Sequence, residues 1–105
     1  MTSGLRTGLP RMLIIAGYLI TDPADRDAFV VEGVKAVSLA REAPGCLDFS
    51  LTADTLDPAR VNVLERWASE DELLAFRGSG PDSGTAARIL GADVKRYEIA
   101  SIGEP

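Results

Sequence analysis

Hydrophobic residues recur in this chain at two different periods, and the switches between the periods outline a fold. Residues 12–20 (Met-Leu-Ile-Ile-Ala-Gly-Tyr-Leu-Ile) are apolar at odd and even positions alike, the pattern of a central strand covered on both faces. Thr21 or Asp22 then suits a helix cap, with Pro23 at the first helical position. Phe29, Val30, Gly33, Val34, Val37 and Ala40 follow at helical spacing, and Asp25, Glu32, Lys35 and Glu42 fall on the solvated side. A glycine inside a helix costs about 1 kcal/mol against alanine, so Gly33 implies close packing on a neighbour. Pro44-Gly45 ends the helix.

From Cys46 to Ala53 the period changes to two. Leu47, Phe49, Leu51 and Ala53 alternate with Asp48, Ser50 and Thr52, giving a strand with one dry and one wetter face. Residues 54–59 make a turn, in which Asp54 and Asp57 are turn formers rather than cation ligands. The next strand, Arg60 to Trp67, sets Val61, Val63, Glu65 and Trp67 on one side and Asn62, Leu64 and Arg66 on the other. Ser69 and Glu72 have capping-box spacing and open a short helix from Glu70 to about Arg77. The glycine-rich stretch 78–84 follows a helix and has no lysine, so it reads as a connector rather than a phosphate cradle. Thr85 to Leu90 is expected as a brief helix closed by Gly91. Val94 to Ile102 is expected as the last strand, with Val94, Ala100 and Ile102 on one face and Tyr97 and Ile99 on the other.

The order βαββαβ folds economically as an α+β, ferredoxin-like unit: a four-stranded antiparallel sheet with both helices on one face. The other face is left bare, although the first strand is apolar on both sides. A homodimer packed sheet on sheet would cover it. Residues 1–11 read as an N-terminal extension and 12–103 as a single domain. The length of 105 residues, with 46% hydrophobic and 26% charged, agrees with one folded domain.

Net charge is −5 and the eleven basic residues are scattered, which argues against nucleic acid as a partner. No apolar run approaches the ~20 residues of a membrane span, and the run 12–20 is followed by Thr21-Asp22-Pro23 instead of a small-residue cleavage site, so a cytoplasmic protein is expected. One cysteine excludes an internal disulfide, and Cys46, with no histidine in the chain to activate it, reads as an inert thiol. No metal site is readable.

Glu65 and Trp67 leave the same face of one strand and are the candidate chemistry. Beneath the helices the carboxylate would be partly desolvated and its proton affinity raised, as suits a general base. A structural carboxylate, paired with Arg77 or Arg88, is the plainer alternative. Trp67 can stack on a planar ligand or anchor the core. Tyr18, Phe49 and Phe76 supply aromatic area for a pocket wall or for the core, and Arg77 stands where a loop could cover a pocket mouth. Asn62 has the chemistry of an oxyanion donor but lies on the other face.

Two segments carry a resemblance. Arg41-Glu42-Ala43-Pro44-Gly45-Cys46-Leu47-Asp48-Phe49 and Glu65-Arg66-Trp67-Ala68-Ser69-Glu70-Asp71-Glu72-Leu73 resemble the helix exit and the Glu-x-Trp-x-Ser segment of the antibiotic-biosynthesis monooxygenase-like family, within the dimeric ferredoxin-like superfamily. The resemblance implies a homodimer that oxidises a hydroxylated aromatic, quinol or polyketide-like compound with O2, without flavin, haem or metal. It implies Glu65 and Trp67 as catalytic residues and Tyr18, Phe49, Phe76 and Arg77 as substrate-binding. Many relatives have a histidine where this chain reads Ala75-Phe76-Arg77-Gly78-Ser79-Gly80-Pro81-Asp82, so Phe76 replaces a candidate base. The alternative is a non-catalytic small-molecule-binding or structural dimer of the same fold, or a cofactor-free isomerase.

Overall fold

Four strands and three helical segments are present in the computed structural model of the chain, which describes residues 11–78 and 87–105. They run β1 (Leu13–Ile20), α1 (Arg26–Glu32), α2 (Val34–Glu42), β2 (Cys46–Ala53), β3 (Arg60–Trp67), α3 (Glu70–Gly78) and β4 (Gly91–Glu98). The strands form one antiparallel sheet in the order β2-β3-β1-β4. This is the expected ferredoxin-like α+β arrangement. All of the expected extension (residues 1–11) except Arg11 lies outside the described residues. So do the connector beyond Gly78 and residues 85 and 86 of the expected brief helix.

Register decides which side chains share the helix-covered face. Leu13, Ile15, Gly17 and Leu19 stand opposite Trp67, Glu65, Val63 and Val61. Glu65, Val63 and Val61 stand in turn opposite Phe49, Leu51 and Ala53. Directly opposed residues project to the same side, so this face gathers Leu13, Ile15, Val61 and Trp67, closed by Phe29, Ala40 and Leu73 from the helices. The open face carries Ile14, Ala16, Tyr18 and Ile20 beside Leu64 and Tyr97, half-buried or exposed.

The first helical region starts later than its pattern suggests and is bent. Pro23 to Asp25 form a turn in which Asp22 Oδ1 accepts the Ala24 N–H at 2.8 Å, and α1 begins at Arg26. Gly33 separates α1 from α2: its N–H reaches the Phe29 and Val30 carbonyls, and its own carbonyl takes the Val37 N–H. A Cβ at Gly33 would lie 2.5 Å from Leu51 Cδ2. The glycine therefore permits the close approach to β2 and the bend at the same point. Beyond the bend Val34, expected inward, is exposed.

The last strand is displaced from its expected place for a reason of pairing. Gly91, expected to close a helix, instead opens β4 opposite Ile20, and Ala87 and Arg88 before it form a turn. β4 ends at Glu98, opposite Leu13, because β1 offers no further strand beyond that residue. The Ile99 N–H still reaches the Met12 carbonyl at 3.0 Å, but Ala100 and Ile102 have left the sheet and are exposed. Among the described residues no helix is long and apolar enough to cross a membrane.

Candidate functional site

Strand pairing brings Glu65 and Trp67 to the helix-covered face, and there they bind each other. The Trp67 indole Nε1–H donates to Glu65 Oε1 at 3.0 Å, with both side chains buried. The carboxylate thus receives a donor from its own strand where a helix cation was one expectation. Arg88 is ion-paired with Glu32, and Arg77 is exposed in the last turn of α3. Phe76 of α3 lies over Trp67, with ring centroids 5.4 Å apart and planes at 33°, and meets Phe49 edge-on at 6.1 Å. Trp67 is 0% exposed, so neither face of its ring is open to a ligand in this arrangement.

The two motif segments touch. Gly45 has φ +81°, in the left-handed region, and its carbonyl accepts the Ala68 N–H at 2.8 Å. A Cβ on Gly45 would fall 2.2 Å from the Glu72 carboxylate. Glu72 belongs to the capping box: its N–H donates to Ser69 Oγ at 3.3 Å, and the Ser69 hydroxyl donates to Glu72 Oε1 at 2.9 Å. The Pro-Gly-Cys turn and the Glu-x-Trp-x-Ser segment are therefore one structural joint. It fixes where β2 starts, β3 ends and α3 begins.

A cavity of about 210 Å³ lies between α1–α2 and the sheet. Leu19, Phe29, Phe49, Leu51 and Ile89 wall it, and Gly33 and Ala36 leave room under the helices. Its charged lining is Glu32 and Arg88. The Arg88 guanidinium donates to the Glu32 carboxylate and sits 5.7 Å from the centroid of Phe29. Both side chains are partly open to solvent, at 30% for Arg88 and 62% for Glu32. Such a pair is weakly bound and can exchange partners. An apolar cavity of about 150 Å³ holds benzene, so this one has room for one or two fused rings.

Of the residues singled out in the sequence, Phe49 lines the cavity, while Phe76, Trp67 and Glu65 are not in its lining; Phe76 touches Phe49 and Trp67, and Trp67 bonds Glu65. Tyr18 is on the open face, with the Arg60 guanidinium 4.0 Å from its ring centroid, so it does not join them. Asn62, also on that face, is bonded to Asp54 and Arg60. The Cys46 thiol donates to the Asp48 carbonyl at 3.5 Å, and burial pushes its pKa up. Glu32 and Arg88 were not legible as a site. They are 56 residues apart, and Glu32 carries only the signature of a solvated helix position. Among the described residues no group of three or more His, Cys, Asp or Glu side chains is arranged to hold a metal.

An antiparallel sheet in this strand order, with helices on one side and a cavity between the layers, defines a ferredoxin-like α+β protein. Within that class the chain belongs to the antibiotic biosynthesis monooxygenase family, whose profile matches residues 12–86. Solved structures agree on the fold. A proposed antibiotic biosynthesis monooxygenase from Chloroflexus aurantiacus J-10-fl is similar at TM-score 0.70 and 25% identity, over 90% of this chain and 96% of that one. Another, from Bacteroides thetaiotaomicron VPI-5482, is similar at TM-score 0.75 and 18% identity, over 90% and 95%. A conserved protein of unknown function from the same organism reaches 0.74 at 10% identity, over 86% and 99%. No curated protein matches the chain.

Proposed function

We propose that this chain is a cofactor-independent monooxygenase that oxidises a small hydroxylated aromatic compound held between α1–α2 and the sheet. One observation carries the reading: an apolar space sized for one or two rings has a carboxylate and a guanidinium, Glu32 and Arg88, in its lining. A phenolic hydroxyl placed beside them gives its proton to Glu32, and the phenolate takes over Arg88. That anion supplies electrons to oxygen itself, while the apolar walls keep water from the reacting carbon. For 1-naphthol the balance closes without another reductant. The ring carbon para to the hydroxyl gains one atom of O2 as a carbonyl, and the other atom leaves as water with the hydroxyl and ring hydrogens. Four electrons pass from substrate to oxygen. Glu65 and Trp67 act as positioning residues that hold the aromatic back wall. Family membership supports the reaction class.

Oxygen uptake by the purified protein with a panel of naphthols and quinols tests this. Arg88→Met and Glu32→Gln are each expected to lower the rate about 100-fold. Uptake that neither substitution changes would refute the assignment. A second reading, a binding protein of the same fold without catalysis, is favoured by the Phe76 ring covering Trp67. Its signature is naphthol binding with no oxygen consumed. In either reading the open sheet face, with Ile14, Ala16, Tyr18, Ile20 and Leu64, is covered by a second copy of the chain.

A further inference from the structure

The two charged side chains in the described lining of the cavity, Glu32 and Arg88, are not equally fixed. Arg88 is the more buried, at 30% exposed against 62% for Glu32, and its guanidinium sits 5.7 Å from the ring centroid of Phe29, itself 4% exposed. Stacking on a buried ring anchors the cation. Glu32, the last residue of α1, is mostly in water and can turn away at little cost. Arg88 therefore already holds a carboxylate at the cavity wall, and that carboxylate is the exchangeable member of the pair. A cationic ligand would have to dislodge the anchored member instead.

We propose that the substrate of this cavity is a hydroxylated aromatic carboxylate, and that its carboxylate takes the place of Glu32 on Arg88. Glu32 is then an internal stand-in for the ligand, and once displaced it is free to accept the proton of the phenolic hydroxyl. The guanidinium presents several N–H donors in one plane, enough to serve the carboxylate and the phenolate together. This substrate class rests on the cavity being the ligand site, as proposed above.

Titration calorimetry of the full chain with 2-naphthoate and its neutral isostere 2-naphthamide tests the exchange. Wild type is expected to bind the carboxylate at least about tenfold more tightly than the amide. Arg88→Met should remove that preference. Glu32→Gln, which replaces the competing carboxylate with a neutral amide, should tighten 2-naphthoate binding about threefold while slowing the oxidation of 1-naphthol, a split that a merely structural Glu32 does not give. In wild type 2-naphthoate should also inhibit that oxidation competitively, at concentrations at least about tenfold below those needed of 2-naphthamide. Equal binding of the two probes by wild type overturns the proposal, as does a preference that survives in Arg88→Met. So does a Glu32→Gln chain that binds 2-naphthoate no more tightly than wild type, because Glu32 would then only prop Arg88 in place. Binding of neither probe removes the cavity as the ligand site. Oxygen uptake reads the oxidase function separately: uptake of 1-naphthol with no preference for the carboxylate sinks the substrate class alone, and preference without uptake upholds the exchange and removes the oxidase reading.

Discussion

Two residues, Gly45 and Glu72, decide how the turn and the helix start of the family motif fit together, and neither acts as a reagent. Gly45 is needed twice, once for its positive φ and once because the Glu72 carboxylate occupies the place of a Cβ. Gly45→Ala should therefore cost about 2–3 kcal/mol, from the left-handed backbone and the lost helix cap together. Urea denaturation measures it, and a Gly45→Ala/Glu72→Ala double variant should recover part of the loss. A cost below about 1 kcal/mol would mean that the turn relaxes freely. Trp67 and Glu65 were readable as a same-face pair from strand alternation alone. Their mutual hydrogen bond was not, because two residues that share a face can each turn to other partners.

At the scale of elements, the β2–β3 connection is held from two directions. Arg26, near the start of α1, donates to the carbonyls of Asp57 at 2.9 Å and Arg60 at 3.2 Å, tying the helix to the turn. Inside the turn Asp54 accepts the Asn62 side-chain amide at 2.9 Å and the backbone N–H groups of Asp57 and Leu56. These bonds, the Asn62 amide foremost, lower its carboxyl pKa from 3.8 to about 2. Since the folded value lies below the unfolded one, the stabilisation is fully present above about pH 4 and fades as pH falls through 2. Asp54→Ala should thus be less stable than wild type at pH 6, with the gap in urea midpoint narrowing at pH 2.5. A gap independent of pH would detach the carboxylate's charge from the turn's stability. The strands and the short helix were legible because their periods are local. The bend at Gly33 and the displaced β4 were not, since one answers to Leu51 on another strand and the other to the length of β1.

For the whole molecule the open face of the sheet is the outstanding surface. Leu64 is 37% exposed and Tyr97 50% exposed, beside half-buried Ile14, Ala16 and Ile20. In the proposed sheet-on-sheet homodimer this face would become a second core, so Leu64→Glu is expected to shift sedimentation from twice the chain mass toward the single-chain mass. A wild type that sediments as a single chain at high concentration would remove the dimer from the picture. The substitution lies on the far side of the sheet from the cavity, so 2-naphthoate binding measured alongside it reports whether the layers remain intact.

By itself the sequence determined the four strands and the short helix after Ser69, their order, the dry face of β3, and the family scaffold built around Gly45, Glu65, Trp67 and Ser69. These follow from short-range periodicity and turn chemistry, which act within a few residues. The sequence did not show that Leu47, expected on the dry face of β2, is exposed at a register shift between Cys46 and Asp48. Only the tertiary structure decided that Phe76 covers Trp67, that Tyr18 belongs to the opposite face from the cavity, and that Glu32 meets Arg88 at its rim. Those relations depend on how layers distant in sequence settle against one another. The close approach at Gly33 and the pairing of β1 with β4 govern that settling, and no local pattern encodes it.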